Sequence, residues 1–513
     1  MSGRLKKIIL LVLGAALIFG AGTLQKSMNQ DRDRLGLTHV EGLTNAPPVL
    51  AFTSVALGGF RGLISNLLWT RANQLQMDDK FFEMAQLSDW ITTLEPHFSQ
   101  VWAHEAWNEA YNISVKFKDY SDRWRWVQNG IELLRDKGLR YNPDDVTIHR
   151  ELAWFFQHKM GANLDDASMY YKNEWRKDME AVFGGKEPNY EALMHPKTPD
   201  EIRRANLLRD KYKMDPALMQ KLDKEYGPLE WRLPEASAIY WAAEGLERAK
   251  EHPLRVGADE DLIVLRRVIY QCMQLTWQRG RLVDNPFIHR MEFGPNLDMI
   301  PKVNETYMTE YKEETNPNQK EGILKAHRNF LRQAIYSLYV YNRTAEAAKW
   351  FKYLGEKYPD KTIIDGDFNS YPRNVTLDQY VVACVQEDMN DTSKDREQTV
   401  LEGLLATSYT SLALDQDDRF TGLKLLAKKA YDSYQSKIPA ERMAAIGLPP
   451  FKDIDNSVLD RLLNPTNGLP ADAQAVIRTK LRIPIPNAPA AQTNFVGQSE
   501  AQGKPLPAGS QNP

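Results

Sequence analysis

The chain has 513 residues, room for about two to five domains or for one elongated repeat array. With 42% hydrophobic, 26% charged and 10% aromatic residues it has the make-up of a folded globular protein, which excludes wholesale disorder and collagen-like repeats. Lys and Arg (65) nearly balance Asp and Glu (68), so the sequence offers no basic footprint and nucleic acid is not an expected partner.

In chain order the first element is an address. Arg4, Lys6 and Lys7 precede an apolar run, Ile8–Leu24, at the short end of what crosses a bilayer as a helix. Basic residues before the run and mixed signs after it (QKSMNQDRDR) place the N-terminus in the cytoplasm. The expected location is therefore the inner (cytoplasmic) membrane, single-pass, with the bulk of the chain on the periplasmic side. A cleaved signal peptide is the alternative, because Gly20 and Gly22 offer a small-x-small site. A polar linker follows over 26–48 and closes at Pro47-Pro48. Val49–Phe60 is apolar but too short to span, and reads as a buried first helix or as a helix on the membrane surface beside the anchor.

From there the signal is helix, turn, helix. Leu63, Leu67, Leu68, Ala72 and Leu75 recur at helical spacing, as do Phe81, Met84, Ala85, Leu87, Trp90, Ile91 and Leu94 after the polar turn Met77–Lys80. A third helix starts at Ser99, a fourth covers Tyr120–Leu139, and a fifth follows Pro143. Residues 161–230 read as a polar insert with short helices, punctuated by Gly184-Gly185, Pro188, Pro196 and Pro199. A helical pair occupies 231–282, a long loop 283–320, further helices 321–483, and a Pro/Ala/Gly/Gln-rich tail, expected to be disordered, 484–513. Cys272 and Cys384, the only cysteines, read as free thiols.

Ala334–Pro359 resembles a tetratricopeptide repeat: Ala334, Ile335 and Leu338 on helix A, Ala347 and Phe351 on helix B, then Leu354 and Pro359. Ile64–Pro96 and Ser99–Pro143 match more loosely through Ala72 and Ala85, which makes 49–160 a stretch of degenerate repeats. The resemblance implies an all-α, tetratricopeptide-like α-solenoid of helical hairpins, here with an N-terminal transmembrane helix and irregular inserts, and protein binding as the default activity. The whole chain, with Trp102–Ser114 and Leu229–Trp241, is also similar to membrane-anchored bacterial proteins, a likeness that implies no function.

Motifs for chemistry fail on inspection. His104-Glu105 opens like a zinc-protease helix, but position 108 is Asn. Asp365-Gly-Asp367-Phe-Asn369 opens like a calcium loop, but Ser370 and Thr376 stand where glycine and glutamate belong. No phosphate-binding or dinucleotide glycine motif occurs, and neither metal nor cofactor is expected.

The unusual feature is aromatic crowding: of twelve tryptophans, seven lie between residues 69 and 154. Most such rings fill space between helices, but Trp124 and Trp126, two apart on a helix, cannot both face inward. A candidate groove is formed by Trp102, Trp107, Asn108, Tyr111, Asn112, Arg123 and Trp126, with Arg125 nearby. The expected function is a membrane-anchored, non-enzymatic scaffold or adaptor for protein partners in a bacterial envelope assembly concerned with secretion, transport or a surface appendage. The alternative is a carbohydrate-binding or carbohydrate-processing helical protein whose acid pair would come from Glu105, Glu109 and Glu151, the first two sharing a helical face.

Overall fold

The structure of the protein is a computed structural model that describes residues 61–251, 258–287, 290–386, 394–443 and 447–484, with a few isolated positions before residue 32. Apart from those positions, the run Ile8–Leu24, the linker, Val49–Phe60 and the C-terminal tail lie outside the described residues. Among the described residues no helix is long and apolar enough to cross a membrane. Among the described residues the fold is mostly helical, with two short strands. The chain divides into two compact units: Met1–Tyr339 with Arg343–Cys384, and Val340–Asn342 with Val385–Pro513.

In the first unit, α1 (Arg61–Met77) and α2 (Phe81–Leu94) form a hairpin. α3 (Ser99–Trp107), α4 (Tyr120–Glu132) and α5 (Val146–Trp154) follow. Each of these three continues into a wide π-type turn: Asn108–Ile113, Leu133–Gly138 and Phe155–Gly161. α6 (Ser168–Phe183), α7 (Tyr190–Met194), α8 (Pro199–Asn206) and α9 (Pro216–Tyr226) occupy the stretch read as a polar insert. α6 buries Tyr171, Trp175, Met179, Val182 and Phe183, so that stretch contributes to the core in spite of its polarity.

α10 (Pro234–Glu251) and α11 (Ala258–Arg279) pack on each other and both pack on α5, which also meets α3. α5 is thus the centre of the unit, burying Val146, Ile148, Leu152 and Ala153. The approach is close because Gly245 on α10 has no side chain: a Cβ there would lie 2.7 Å from the Cβ of His149.

The sequence reading of 283–320 as a long loop is corrected. β1 (Arg281–Asn285) pairs antiparallel with β2 (Arg290–Gly294) in the register Arg281↔Gly294, and α12 (Ile300–Glu313) follows with Val303 and Tyr307 buried. The adjacent pair Leu282-Val283 and the short alternation Arg290-Met291-Glu292-Phe293 span too few positions to register as strands.

α13 (Pro317–Val340) and α14 (Thr344–Lys357) form a second hairpin, closed at its far end where the Tyr358 hydroxyl lies 2.7 Å from Nδ1 of His327 on α13. Ala334, Ile335, Leu338, Ala347 and Leu354 are all buried. Tyr380 of α15 (Leu377–Gln386) donates a hydrogen bond to the Arg332 carbonyl. In the second unit α16 (Lys394–Ala413) packs on α17 (Asp417–Ser436), α18 (Phe451–Leu462) and α19 (Ala471–Leu481), burying Leu401, Leu405, Leu426 and Ile477.

Three helix-to-helix turns share one geometry. Asp79, Asn342 and Asp415 hold φ of 58°, 59° and 58°, and the next residue's N–H bonds five residues back: Lys80 to Leu75, Arg343 to Leu338, Gln416 to Ser411. Asp and Asn tolerate this left-handed conformation better than other side chains. Neither cysteine is in a disulfide; Cys272 is fully buried and Cys384 half-buried.

Candidate functional site

The site grows from two aromatic pairs at helical i,i+4 spacing. Trp107 ends α3 and Tyr111 follows on its wide turn; their rings stack with centroids 5.3 Å apart and 16° between planes. Trp154 ends α5 and His158 follows on its wide turn; those rings stack at 4.6 Å and 11°. Residues four apart on a helix lie one above the other, which gives each indole a flat partner.

The pairs join where the Tyr111 hydroxyl meets Nδ1 of His158 at 3.1 Å. Burial, together with the Lys159 ammonium, holds the His158 pKa below its usual value, which favours the neutral ring beside the tyrosine hydroxyl. Burial pushes the pKa of the Tyr111 hydroxyl upward, keeping it protonated. Below, Tyr111 meets Phe155 edge-on at 5.6 Å, and the Lys159 ammonium sits 5.0 Å from the Tyr111 ring centre.

Trp107 and Trp154 line a solvent-open cleft of about 320 Å³ with Arg150, Glu151 and Val264, at the meeting of α3, α5 and α11. Trp107 is 38% exposed although its stacking partner Tyr111 is half-buried. The charged rim is tied down: Arg150 is ion-paired with Glu151 and with Asp261 on α11, and Asp261 also accepts from the Thr147 hydroxyl at 2.9 Å.

Of the seven residues expected in a groove, only Trp107 lines this cleft, with Tyr111 behind it. Trp102 is 3% exposed; its indole donates to the Pro96 carbonyl at 2.8 Å and stacks on Tyr141. Asn108 is fully buried, donating to the Phe81 carbonyl at 3.2 Å and accepting from Asn112. These two are interior groups beyond the reach of a groove ligand. Trp126, half-buried, packs edge-on against Phe82 at 5.7 Å and beside the cluster of Ala72, Leu75, Phe81, Met84 and Ile113. Trp124 is its buried neighbour, and Arg125 is exposed beside Asp122. Arg123 is bound to Asp165, Asp166 and the Phe117 carbonyl, a bracing role.

The reading from sequence missed Arg150, Trp154, His158 and Val264. The signal available for two of them was the repeated spacing itself, Trp-x-x-x-Tyr at Trp107 and Trp-x-x-x-His at Trp154.

The chain matches no protein-family model, no curated protein and no solved structure.

Among the described residues carboxylates do not converge in the cleft: Glu151 is the one that lines it, and its partner is Arg150. Glu105 and Glu109 lie instead against α2 near Ser88 and Asp89. Burial raises Glu105 to about 7, and burial together with the Glu105 charge raises Glu109 to about 8. Among the described residues no cluster of His, Cys, Asp and Glu is arranged to hold a metal.

Proposed function

We propose that the chain is a scaffold of helical hairpins, held at the inner membrane by Ile8–Leu24, that grips an extracytoplasmic protein partner in the Trp107–Trp154 cleft. The observation that carries this reading is the pair of indoles on the cleft, Trp107 exposed and Trp154 half-buried, each backed by a stacked ring. An aromatic surface already fixed in place loses little side-chain entropy on binding, which is how recognition hot spots gain affinity. The cleft suits one bulky apolar or aromatic side chain, and the Arg150–Glu151 pair at its rim offers a donor and an acceptor to the flanking peptide backbone. The hairpin α13–α14, with Ala334, Ile335, Leu338, Ala347 and Leu354 buried and Phe351 half-buried, supports the tetratricopeptide-like solenoid that the sequence resembles.

The separation of Glu105 and Glu109 from the cleft favours binding over glycoside hydrolysis, which needs two carboxyl groups about 5–10 Å apart around the bond to be cut. Indoles also stack on sugars, so the test has two arms. Full-length protein is captured from detergent-solubilised native membranes beside Trp107→Ala and Trp154→Ala, with partners identified by mass spectrometry; tryptophan fluorescence is titrated with envelope glycans. Envelope proteins that are recovered with the parent and lost from both variants support the reading. Unchanged recovery by the variants overturns it, and a saturable fluorescence change with glycan replaces it by the carbohydrate reading.

A further inference from the structure

The first described helix leaves apolar side chains in solvent at the end nearest the proposed anchor. On α1, Leu63 and Leu67 are 57% and 64% exposed, one turn apart on the same face. The same face continues through exposed Arg71 and Gln74, and the helix ends at Met77, followed by Asp78, Asp79 and Lys80. The seventeen residues of α1 include two arginines, Arg61 and Arg71, and no acid at all. The exposed side is therefore graded in charge: Leu63 and Leu67 in its first two turns, Arg71 and Gln74 in the middle, exposed Met77 at its end and acids only beyond it. Along about 25 Å of helix, this is the pattern of a segment whose start touches lipid and whose end stands in water.

The length of chain that precedes α1 points the same way. Residue 60 closes the apolar stretch Val49–Phe60, and the proposed anchor Ile8–Leu24 lies within reach through the polar linker. Leucines facing acyl chains and an arginine at headgroup depth fit a bilayer containing anionic lipid, since Arg71 carries the sign that such a surface attracts.

From this gradient we infer that the first two turns of α1 rest in the headgroup–acyl boundary of the membrane, Leu63 and Leu67 inserted and Met77 in water, so that the helix sets the angle at which the first unit leaves the bilayer. The inference rests on the membrane-anchored reading above. Full-length chain carrying Cys384→Ser is labelled with an environment-sensitive fluorophore at Leu67→Cys, or at Met77→Cys, and reconstituted in phosphatidylethanolamine/phosphatidylglycerol vesicles; Cys272 is buried and stays unlabelled. The expected result is a label at 67 quenched several-fold more by a nitroxide on the lipid chain than by aqueous iodide, and the reverse at 77. A chain that floats with the vesicles while its label at 67 is quenched by iodide overturns the inference and leaves the anchor standing. So does a label protected from both quenchers, since protein, either Val49–Phe60 or a second copy, then covers the face. A chain that does not float with the vesicles overturns anchor and inference together.

Discussion

Glu105 is a carboxyl group that the fold stabilises in its protonated form. It is 4% exposed on α3, its Oε2 has no hydrogen-bond partner, and Asp89 adds negative charge nearby. Burial is the main cause that lifts its pKa from 4.5 to about 7. Between those two values the native state binds a proton that the unfolded chain has released, so stability falls as pH rises through that window. At ~1.4 kcal/mol per pH unit the loss from this group approaches about 3 kcal/mol by pH 7 to 8. Glu105→Gln keeps the shape and removes the titration. The expected outcome is a variant close to the parent at pH 5 and more stable than the parent by about 1–3 kcal/mol at pH 8. It also lowers the pKa of Glu109, which no longer faces a second carboxylate. Urea denaturation of parent and variant at both pH values, followed by circular dichroism, measures the difference. An equal effect at pH 5 and pH 8, or a variant less stable at pH 8, refutes burial as the cause of the shift.

Four further outcomes are expected. Trp107→Ala loses at least tenfold in affinity for the cleft's ligand, seen by calorimetry once that ligand is in hand, while costing only about 1–2 kcal/mol of stability because its indole is already partly in water. Burial alone raises the pKa of Asp165, but hydrogen bonds from Lys159 and the Ala167 N–H, aided by the Lys159 charge, outweigh it and bring the group to about 2. Its contribution is therefore present above pH 4 and lost as pH falls from about 4 to 2, and Asp165→Asn, which leaves Lys159 and Arg123 short of a partner, costs about 3 kcal/mol at pH 7 in denaturant titrations and flattens the acid limb. Gly245→Ala places a methyl group against His149 at the α5–α10 crossing and destabilises by about 1–3 kcal/mol in the same measurement. Asn342→Ala costs about 1 kcal/mol because its φ is 59°, whereas Asn342→Gly is neutral or better, and thermal melts separate the two.

Helix positions were legible because helical spacing of apolar residues is a local property: α1, α2, α4, α10, α13 and α14 all lie where the periodicity puts them. The β1–β2 hairpin was not, since two five-residue strands gain their stability from pairing and from packing on α11. Nor was the core role of α6, a helix rich in charge whose Tyr171, Trp175 and Met179 are buried by neighbours far along the chain.

The site divides in the same way. The sequence by itself determined that rings are crowded between residues 69 and 154, that Trp107 and Tyr111 share a helical face, and that the two cysteines are too few to make a framework. Only the tertiary structure decided which rings face water. Trp102 adjoins half-buried Ala103 and Asn108 adjoins exposed Trp107, yet both are interior because α4, the 133–138 turn and the start of α2 close over them. Trp154, 47 residues beyond Trp107 in the chain, becomes the second wall of the cleft because α3 and α5 pack side by side and each widens into a π-type turn at the same level. Periodicity fixes which side chains share a face of one helix; whether that face meets solvent depends on contacts between segments distant in the chain, and those are set by the packing of the whole unit.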